Sequence, residues 1–249
     1  MAQPDVHVLS NLEELSRATA SFFRAQAERT LEAEGIVFAA LSGGSTPRRM
    51  YELLASADFR LPWEKIHFFQ VDERCVPPDS PQSNYRMVRE VFLSRTAFPE
   101  ANFHRMQAEL GDREAAANAY ADELSRWLRV SPGEWPRLDL ICLGMGPDGH
   151  TASLFPGSSA LEERKRWVLP NFSERLNSHR LTLTLPVLNA ASEIIFLAAG
   201  ADKAETLAAV LKGPGADERL PASLVRPARG RVTWFVDEAA ARGLGQKPH

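Results

Sequence analysis

Short apolar runs alternate with amphipathic stretches from one end of the chain to the other. Ile36-Val-Phe-Ala-Ala-Leu41, Ile66-His-Phe-Phe-Gln-Val71, Leu138-Asp-Leu-Ile-Cys-Leu143, Glu193-Ile-Ile-Phe-Leu-Ala198 and Arg231-Val-Thr-Trp-Phe-Val236 read as buried strands, and residues 6–9 add a short one. Asn11 is placed to cap a helix running to about residue 33, with Leu12, Leu15, Phe22 and Phe23 turned inward and Gly35 ending it. Pro47 fits the first turn of a helix reaching residue 55, where its missing N–H costs nothing. Further helices are expected over 84–94, 112–128 and 202–211, and a Pro-rich loop over 72–81. Residues 167–169 form another strand candidate, and Arg180-Leu-Thr-Leu-Thr-Leu185 alternates with period two, as an edge strand or an antiparallel addition would. Strands separated by helices imply right-handed crossovers, hence an α/β fold with a doubly wound, mostly parallel sheet covered by helices on both faces. One domain over residues 1–249 is expected, with disorder confined to the ends, chiefly 243–249.

Composition narrows the classes. Hydrophobic residues make up 44% and charged residues 24% of the 249 positions, ordinary values for a globular protein. A net charge of −3, with basic residues scattered apart from Arg48-Arg49 and Arg164-Lys165-Arg166, gives no support to nucleic-acid binding. No run approaches the roughly 18 apolar residues that cross a bilayer, and the first residues do not read as a secretion signal, so a cytoplasmic protein is expected. Cys75 and Cys142 have no motif spacing; Cys142 reads as a core residue, and Cys75 follows an arginine that would lower its pKa.

Chemistry concentrates where strands end. The loop Gly144-Met-Gly-Pro-Asp-Gly-His-Thr-Ala-Ser-Leu-Phe-Pro-Gly157 follows a buried strand, delivering Asp148 and His150 at the edge where open α/β sheets place their sites. Histidine is suited to accept a proton near neutral pH, and an aspartate two residues away can orient it. After the second strand, Gly43 and Gly44 let the backbone approach a ligand, the helix start presents N–H groups, and Ser45 and Thr46 add hydroxyls, a combination that suits a phosphate. A plain strand-to-helix turn with a Ser/Thr cap remains an alternative, as does a nucleophile elbow centred on Ser45 and served by Asp148 and His179, although Pro47 replaces the usual final glycine. Asp72-Glu-Arg74 ends the third strand with two carboxylates and a guanidinium, an oxyanion partner or a surface ion-pair cluster. Arg180 opens the alternating strand, and Lys203 stands at a helix start where a cation is disfavoured unless an anion is near, which points both toward an anion site. His67, His104 and His179 are scattered and suggest no metal site.

Taken in order, Leu41-Ser-Gly-Gly-Ser-Thr-Pro47, Val71-Asp-Glu-Arg-Cys-Val-Pro77 with Ser83-Asn84, the histidine loop, and Arg180-Leu-Thr-Leu-Thr184 followed by Lys203 resemble the 6-phosphogluconolactonases. These belong with glucosamine-6-phosphate deaminase in one sugar-phosphate group, and the resemblance covers nearly the whole chain. It implies the deaminase-like, Rossmann-like fold and hydrolysis of 6-phospho-D-glucono-1,5-lactone, the second step of the oxidative pentose phosphate pathway, without metal or organic cofactor. It also implies His150 as general base with Asp148 as its partner, Arg74 as oxyanion stabiliser, and Asp72 ordering Arg74 or the sugar hydroxyls. Gly43, Gly44, Ser45, Thr46, Arg180 and Lys203 would hold the phosphate. Similar deaminases carry a glutamate five residues after the histidine, whereas Phe155 stands here. Deaminase or isomerase chemistry, or a non-catalytic sugar-phosphate sensor, are the alternatives. The expected partner is a small phosphosugar lactone, acted on by a monomer.

Overall fold

The structure, a computed structural model, describes residues 5–128, 130, 133–212 and 219–244; the rest of the C-terminal stretch expected to be disordered lies outside the described residues. Seven strands, β1 (Asp5–Leu9), β2 (Val37–Leu41), β3 (Ile66–Gln70), β5 (Phe103–His104), β6 (Leu140–Gly144), β9 (Glu193–Ala198) and β10 (Arg231–Asp237), form one sheet in the order β1-β10-β9-β6-β2-β3-β5. Every pairing in it is parallel. Residue by residue these strands send side chains to opposite sides. Val37, Ala39, Leu41, Leu140, Cys142, Ile195 and Leu197 join Phe23, Met50, Tyr51 and Phe92 in one buried cluster. Ala40, Ile141, Leu143, Ile194 and Phe196 join Tyr120, Leu124, Leu188 and Leu207 in the other.

Helices α1 (Leu12–Glu34), α2 (Ser45–Leu54) and α3 (Asn84–Val91) supply the first cluster. Helices α4 (Arg113–Leu128), α5 (Leu185–Leu188), α6 (Ala204–Val210) and α7 (Glu238–Ala241) contribute to the second. Asn11 caps α1 by accepting from the Glu14 N–H at 3.0 Å, and Gly35 ends it in the left-handed conformation at φ 78°, as the sequence predicts.

The departures from expectation are local. Residues 72–74 form β4 (Asp72–Arg74) rather than opening a loop, and β4 pairs antiparallel with β8 (Ser178–Leu183), which pairs in turn with β7 (Val168–Ser173). The alternating segment is therefore the centre of a second, three-stranded sheet, antiparallel but not an edge. The two-residue β5 has too short a pattern to be seen in sequence. Cys142 is fully buried and its thiol is pushed up to about 12 by that burial. Burial also raises the Cys75 thiol, against the opposing pull of Arg113, so the expected lowering by Arg74 is not what its surroundings produce.

His67 and His104, distant in sequence, meet on β3 and β5 with Nδ1 of the first 2.9 Å from Nε2 of the second. His104 Nδ1 continues to Glu123 at 2.8 Å, and the Trp127 ring packs 4.2 Å from that of His67. Burial, reinforced by His104, pushes His67 down to about 4, and burial lowers His104 as well. Because the folded pKa lies below the unfolded value, the unfolded chain binds more protons in between, so stability is fully present above about pH 6.5 and falls as pH drops toward 4. The expected loss is about 2 kcal/mol near pH 5, and His67→Gln should flatten that slope in urea titrations; an unchanged slope would remove His67 as its source.

Candidate active site

Strands β2 and β6 are neighbours in the sheet. From this adjacent pair the chain proceeds outward in opposite directions, to β3 and β5 on one side and to β9 and β10 on the other, which makes their carboxyl ends the topological switch point. The glycine loop leaves β2 and the histidine loop leaves β6, so the two are brought together as the sequence requires.

Gly44, at φ 106°, turns the chain into α2 and is its N-cap, with no side chain bonded to the helix start. The Ser/Thr cap considered from sequence is thus not formed, and the first N–H groups of α2, including those of Ser45 and Thr46, have no intrahelical partner. They form the donor array that an oxyanion at a helix N-terminus uses. Among the described residues no histidine hydrogen-bonds Ser45: His150 pairs with Asp148, while the His179 ring centre lies 4.7 Å from that of Phe172. The geometry of a serine nucleophile is therefore not assembled.

The histidine loop is closed by its own backbone. The Gly146 N–H donates to the His150 carbonyl at 2.9 Å, the Gly149 N–H to the Gly146 carbonyl at 3.0 Å, and the Thr151 hydroxyl to the Gly144 carbonyl at 2.9 Å. Gly149 takes φ 78°, and a Cβ on Gly146 would fall 2.1 Å from the His150 ring, so two of the three glycines from 144 to 149 are demanded by the fold of the loop. Within it, His150 Nδ1 lies 2.5 Å from Asp148 Oδ1. A carboxylate at Nδ1 favours the tautomer protonated there and leaves Nε2 as the basic nitrogen. Burial would raise the Asp148 pKa, but the hydrogen bond and charge of His150, together with Arg175, outweigh it and hold the carboxyl at about 2. Arg175, from the β7–β8 turn, reaches Asp148 Oδ2 at 3.4 Å. The His150 side chain retains 23% exposure, enough to meet a ligand. Its other neighbour is apolar, since the Phe155 ring centre lies 5.1 Å away and Phe155 is buried.

Strand β4 adds the cations. Alternation along a strand separates what the sequence grouped: Asp72 and Arg74 share one face, and Glu73 turns to the other. Register places Arg74 opposite Arg180 and Asp72 opposite Thr182. Arg180 is buried, its Nη1 donating to the Ser178 hydroxyl at 2.5 Å and to the His179 carbonyl at 3.0 Å. Burial first and then the charge of Arg74 lower its pKa. Arg74 donates to the Gln82 carbonyl at 2.5 Å, and neither guanidinium is ion-paired among the described residues. Two guanidinium groups side by side suit an anion, although the carboxylates of Asp72 and Glu73 act on Arg180 in the opposite direction to Arg74. Lys203 stands after β9, on the other flank of β6, where its Nζ donates to the Ala199 carbonyl at 2.9 Å and lies 3.3 Å from Asp202. That carboxylate supplies the anion which the helix-start argument for Lys203 required.

The surface ion-pair alternative for Asp72 and Glu73 is corrected, because both carboxylates are buried. Asp72 Oδ2 accepts from the Ser153 hydroxyl at 2.6 Å, and its carbonyl accepts from Asn84 Nδ2 at 2.9 Å. Ser153, Asn84 and Glu73 lie within the matched stretches without an individual role being legible there, and Arg175 lies outside them. Among the described residues, no three His, Cys, Asp or Glu side chains are grouped as metal ligands.

The family described as glucosamine-6-phosphate isomerases/6-phosphogluconolactonase matches residues 10–234. The chain belongs to that family. Within the glucosamine-6-phosphate isomerase/6-phosphogluconolactonase family, it is 39% identical over 241 residues to the 6-phosphogluconolactonase of Synechocystis sp., covering 97% of this chain and 98% of the relative. The crystal structure of 6-phosphogluconolactonase from Thermotoga maritima superposes with a TM-score of 0.82 at 34% identity, over 95% of this chain and all of that one. The 6-phosphogluconolactonase from Trypanosoma brucei gives 0.85 at 30% identity over 98% of this chain and all of that one. The doubly wound parallel sheet is thus the family fold, and the position that distinguishes the family's two chemistries by resemblance, Phe155, lies against the catalytic candidate His150.

Proposed function

We propose that this chain hydrolyses 6-phospho-D-glucono-1,5-lactone to 6-phosphogluconate by general-base activation of water. The observation that carries the reading is a histidine fixed through Nδ1 by a carboxylate at 2.5 Å, with an apolar ring where ring-opening deamination would want a second carboxylate. Its Nε2 takes a proton from water as the water oxygen bonds to the lactone carbonyl carbon. Arg74 faces the oxyanion that forms, and Asp72 orders the sugar hydroxyls or Arg74. Collapse breaks the bond from that carbon to the ring oxygen, which recovers the proton from His150. Residues 43–46 with Arg180 hold the phosphate, and the family resemblance alone adds Lys203 to them. No metal or organic cofactor enters these steps, and turnover undiminished by EDTA is the expected result. The same reading takes the enzyme to be a cytoplasmic monomer, and sedimentation as a dimer would overturn the latter.

The test is a coupled assay with freshly made lactone beside glucosamine 6-phosphate. Lactone hydrolysis above the spontaneous rate, without ammonia release from the amino sugar, is expected. Ammonia release would favour the deaminase reading, and binding of both without turnover would favour a sensor. Arg180→Ala should raise KM for the phosphorylated lactone by about tenfold or more, and an unchanged KM would take Arg180 out of the phosphate site.

A further inference from the structure

The structure assigns to Asn84 the role of a positioning residue that joins the glycine loop to the histidine loop through Asp72 and Ser153. This rests on the phosphate and histidine assignments proposed above. Asn84 is buried at the start of α3, and its amide lies against Gly43. A Cβ on Gly43 would fall 1.7 Å from Asn84 Oδ1 and 2.2 Å from its Cγ, so the amide occupies the space that glycine leaves open. On its other side Nδ2 donates to the Asp72 carbonyl at 2.9 Å and lies 3.4 Å from Asp72 Oδ1.

Asp72 passes the connection on. Its Oδ2 accepts from Ser153 at 2.6 Å, three residues beyond His150, and the Ser153 N–H is held by Thr182 at 3.2 Å. Asp72 is therefore linked to both loops, to the histidine loop by the Ser153 hydroxyl on its carboxylate and to the glycine loop by the Asn84 amide, which bonds its carbonyl and packs against Gly43. The junction is also incomplete. Asn84 Oδ1, beside Gly43, and the hydroxyl of the preceding Ser42 are both buried without a hydrogen-bond partner. Buried polar atoms are ordinarily satisfied, and an unsatisfied one is tolerated where function needs the position. Both lie next to Gly43, in the loop whose N–H groups are assigned to the phosphate above. Displacement of Gly43 inward meets the amide, and displacement outward opens a gap beside it, so seating of the loop is transmitted to Asp72 by contact.

The test is a cycle of Asn84→Ala, Gly43→Ala and the double variant, read by steady-state kinetics and thermal unfolding. Asn84 makes no phosphate contact in the proposed site, so Asn84→Ala should lower kcat by about tenfold while KM stays within about threefold, a split that loss of folded protein would not produce. In Gly43→Ala the new methyl must push the amide off Asp72, so kcat should fall comparably with Asn84 still present. The double variant should fall no more than about threefold below either single and should melt above Gly43→Ala, because truncation makes room for the methyl. Independent, multiplying effects on kcat, or Asn84→Ala with kcat within about twofold of wild type, would overturn the assignment. Thermal unfolding needs no substrate: should the wild-type chain prove inactive on the lactone, a double variant melting below both singles would still refute the Asn84–Gly43 contact, whereas rescue would uphold it and leave only the proposed reaction at fault.

Discussion

His150→Ala is expected to reduce lactone turnover by roughly 10² to 10⁴-fold, the contribution of a positioned general base, while leaving the fold and 6-phosphogluconate binding in place. Truncation should be structurally mild because the loop is closed by backbone hydrogen bonds of Gly144, Gly146 and Gly149 that do not involve the imidazole. The phosphate donors on the glycine loop and the Arg74–Arg180 pair stand on other elements, so affinity for the product should change little. Residual catalysis should remain, since one oxyanion partner alone is worth about 10² to 10³-fold. Asp148 stays a carboxylate throughout the neutral and mildly acid range, with its pKa held at about 2 by His150 and Arg175 against the opposing effect of burial. Any acid-side loss of wild-type activity above about pH 4 therefore belongs to another group. Steady-state rates corrected for spontaneous hydrolysis decide the matter, and wild-type-like kcat in His150→Ala would remove His150 as the base.

Much of this arrangement is legible in the sequence because its determinants are local. Apolar runs such as residues 37–41 and 140–144 identify buried strands, and the Gly44 and Gly149 turns mark loops at their carboxyl ends. The His150–Asp148 pair is readable for the same reason, both partners lying within one turn. What escaped depends on distant pairing. Strand β4 is three residues followed by Cys-Val-Pro-Pro, and becomes a strand only by meeting β8 more than a hundred residues later. Once it is a strand, the cluster Asp72-Glu73-Arg74 splits between two faces, which local reading cannot foresee. Arg175 reaches Asp148 only because the β7–β8 turn stands over the histidine loop, and Lys203 looked anion-seeking because its contact with Asp202 depends on side-chain geometry.

The split gives Glu73 a role of its own, and the largest stability effect in the site region is expected there. Its Oε1 accepts from the N–H groups of Arg74 at 2.8 Å and Asn84 at 2.7 Å. Its Oε2 accepts from Gln70 Nε2 at 2.9 Å, the Ser83 hydroxyl at 3.0 Å and the Tyr85 N–H at 2.8 Å. Five donors converge on one buried carboxylate, two of them from the first turn of α3, whose dipole favours a negative charge there. Glu73→Gln is nearly isosteric yet places an NH₂ among donors in either orientation of the amide. At least two donors are then left without an acceptor, at about 1 to 3 kcal/mol each, so a loss of about 2 to 5 kcal/mol is expected, with the midpoint of urea unfolding moved and its slope kept. Activity should fall with it, because the same carboxylate seats the backbone of Arg74 and Asn84 beside the proposed oxyanion and phosphate sites. Glu90→Gln serves as the control: Glu90 pairs with Arg86 on the exposed face of α3, and its replacement should leave the urea midpoint essentially where it is in the wild type. If Glu73→Gln unfolds at the same urea concentration as the control, the carboxylate does not anchor α3, and the positions of Arg74 and Asn84 must be fixed by the β4–β8 pairing alone.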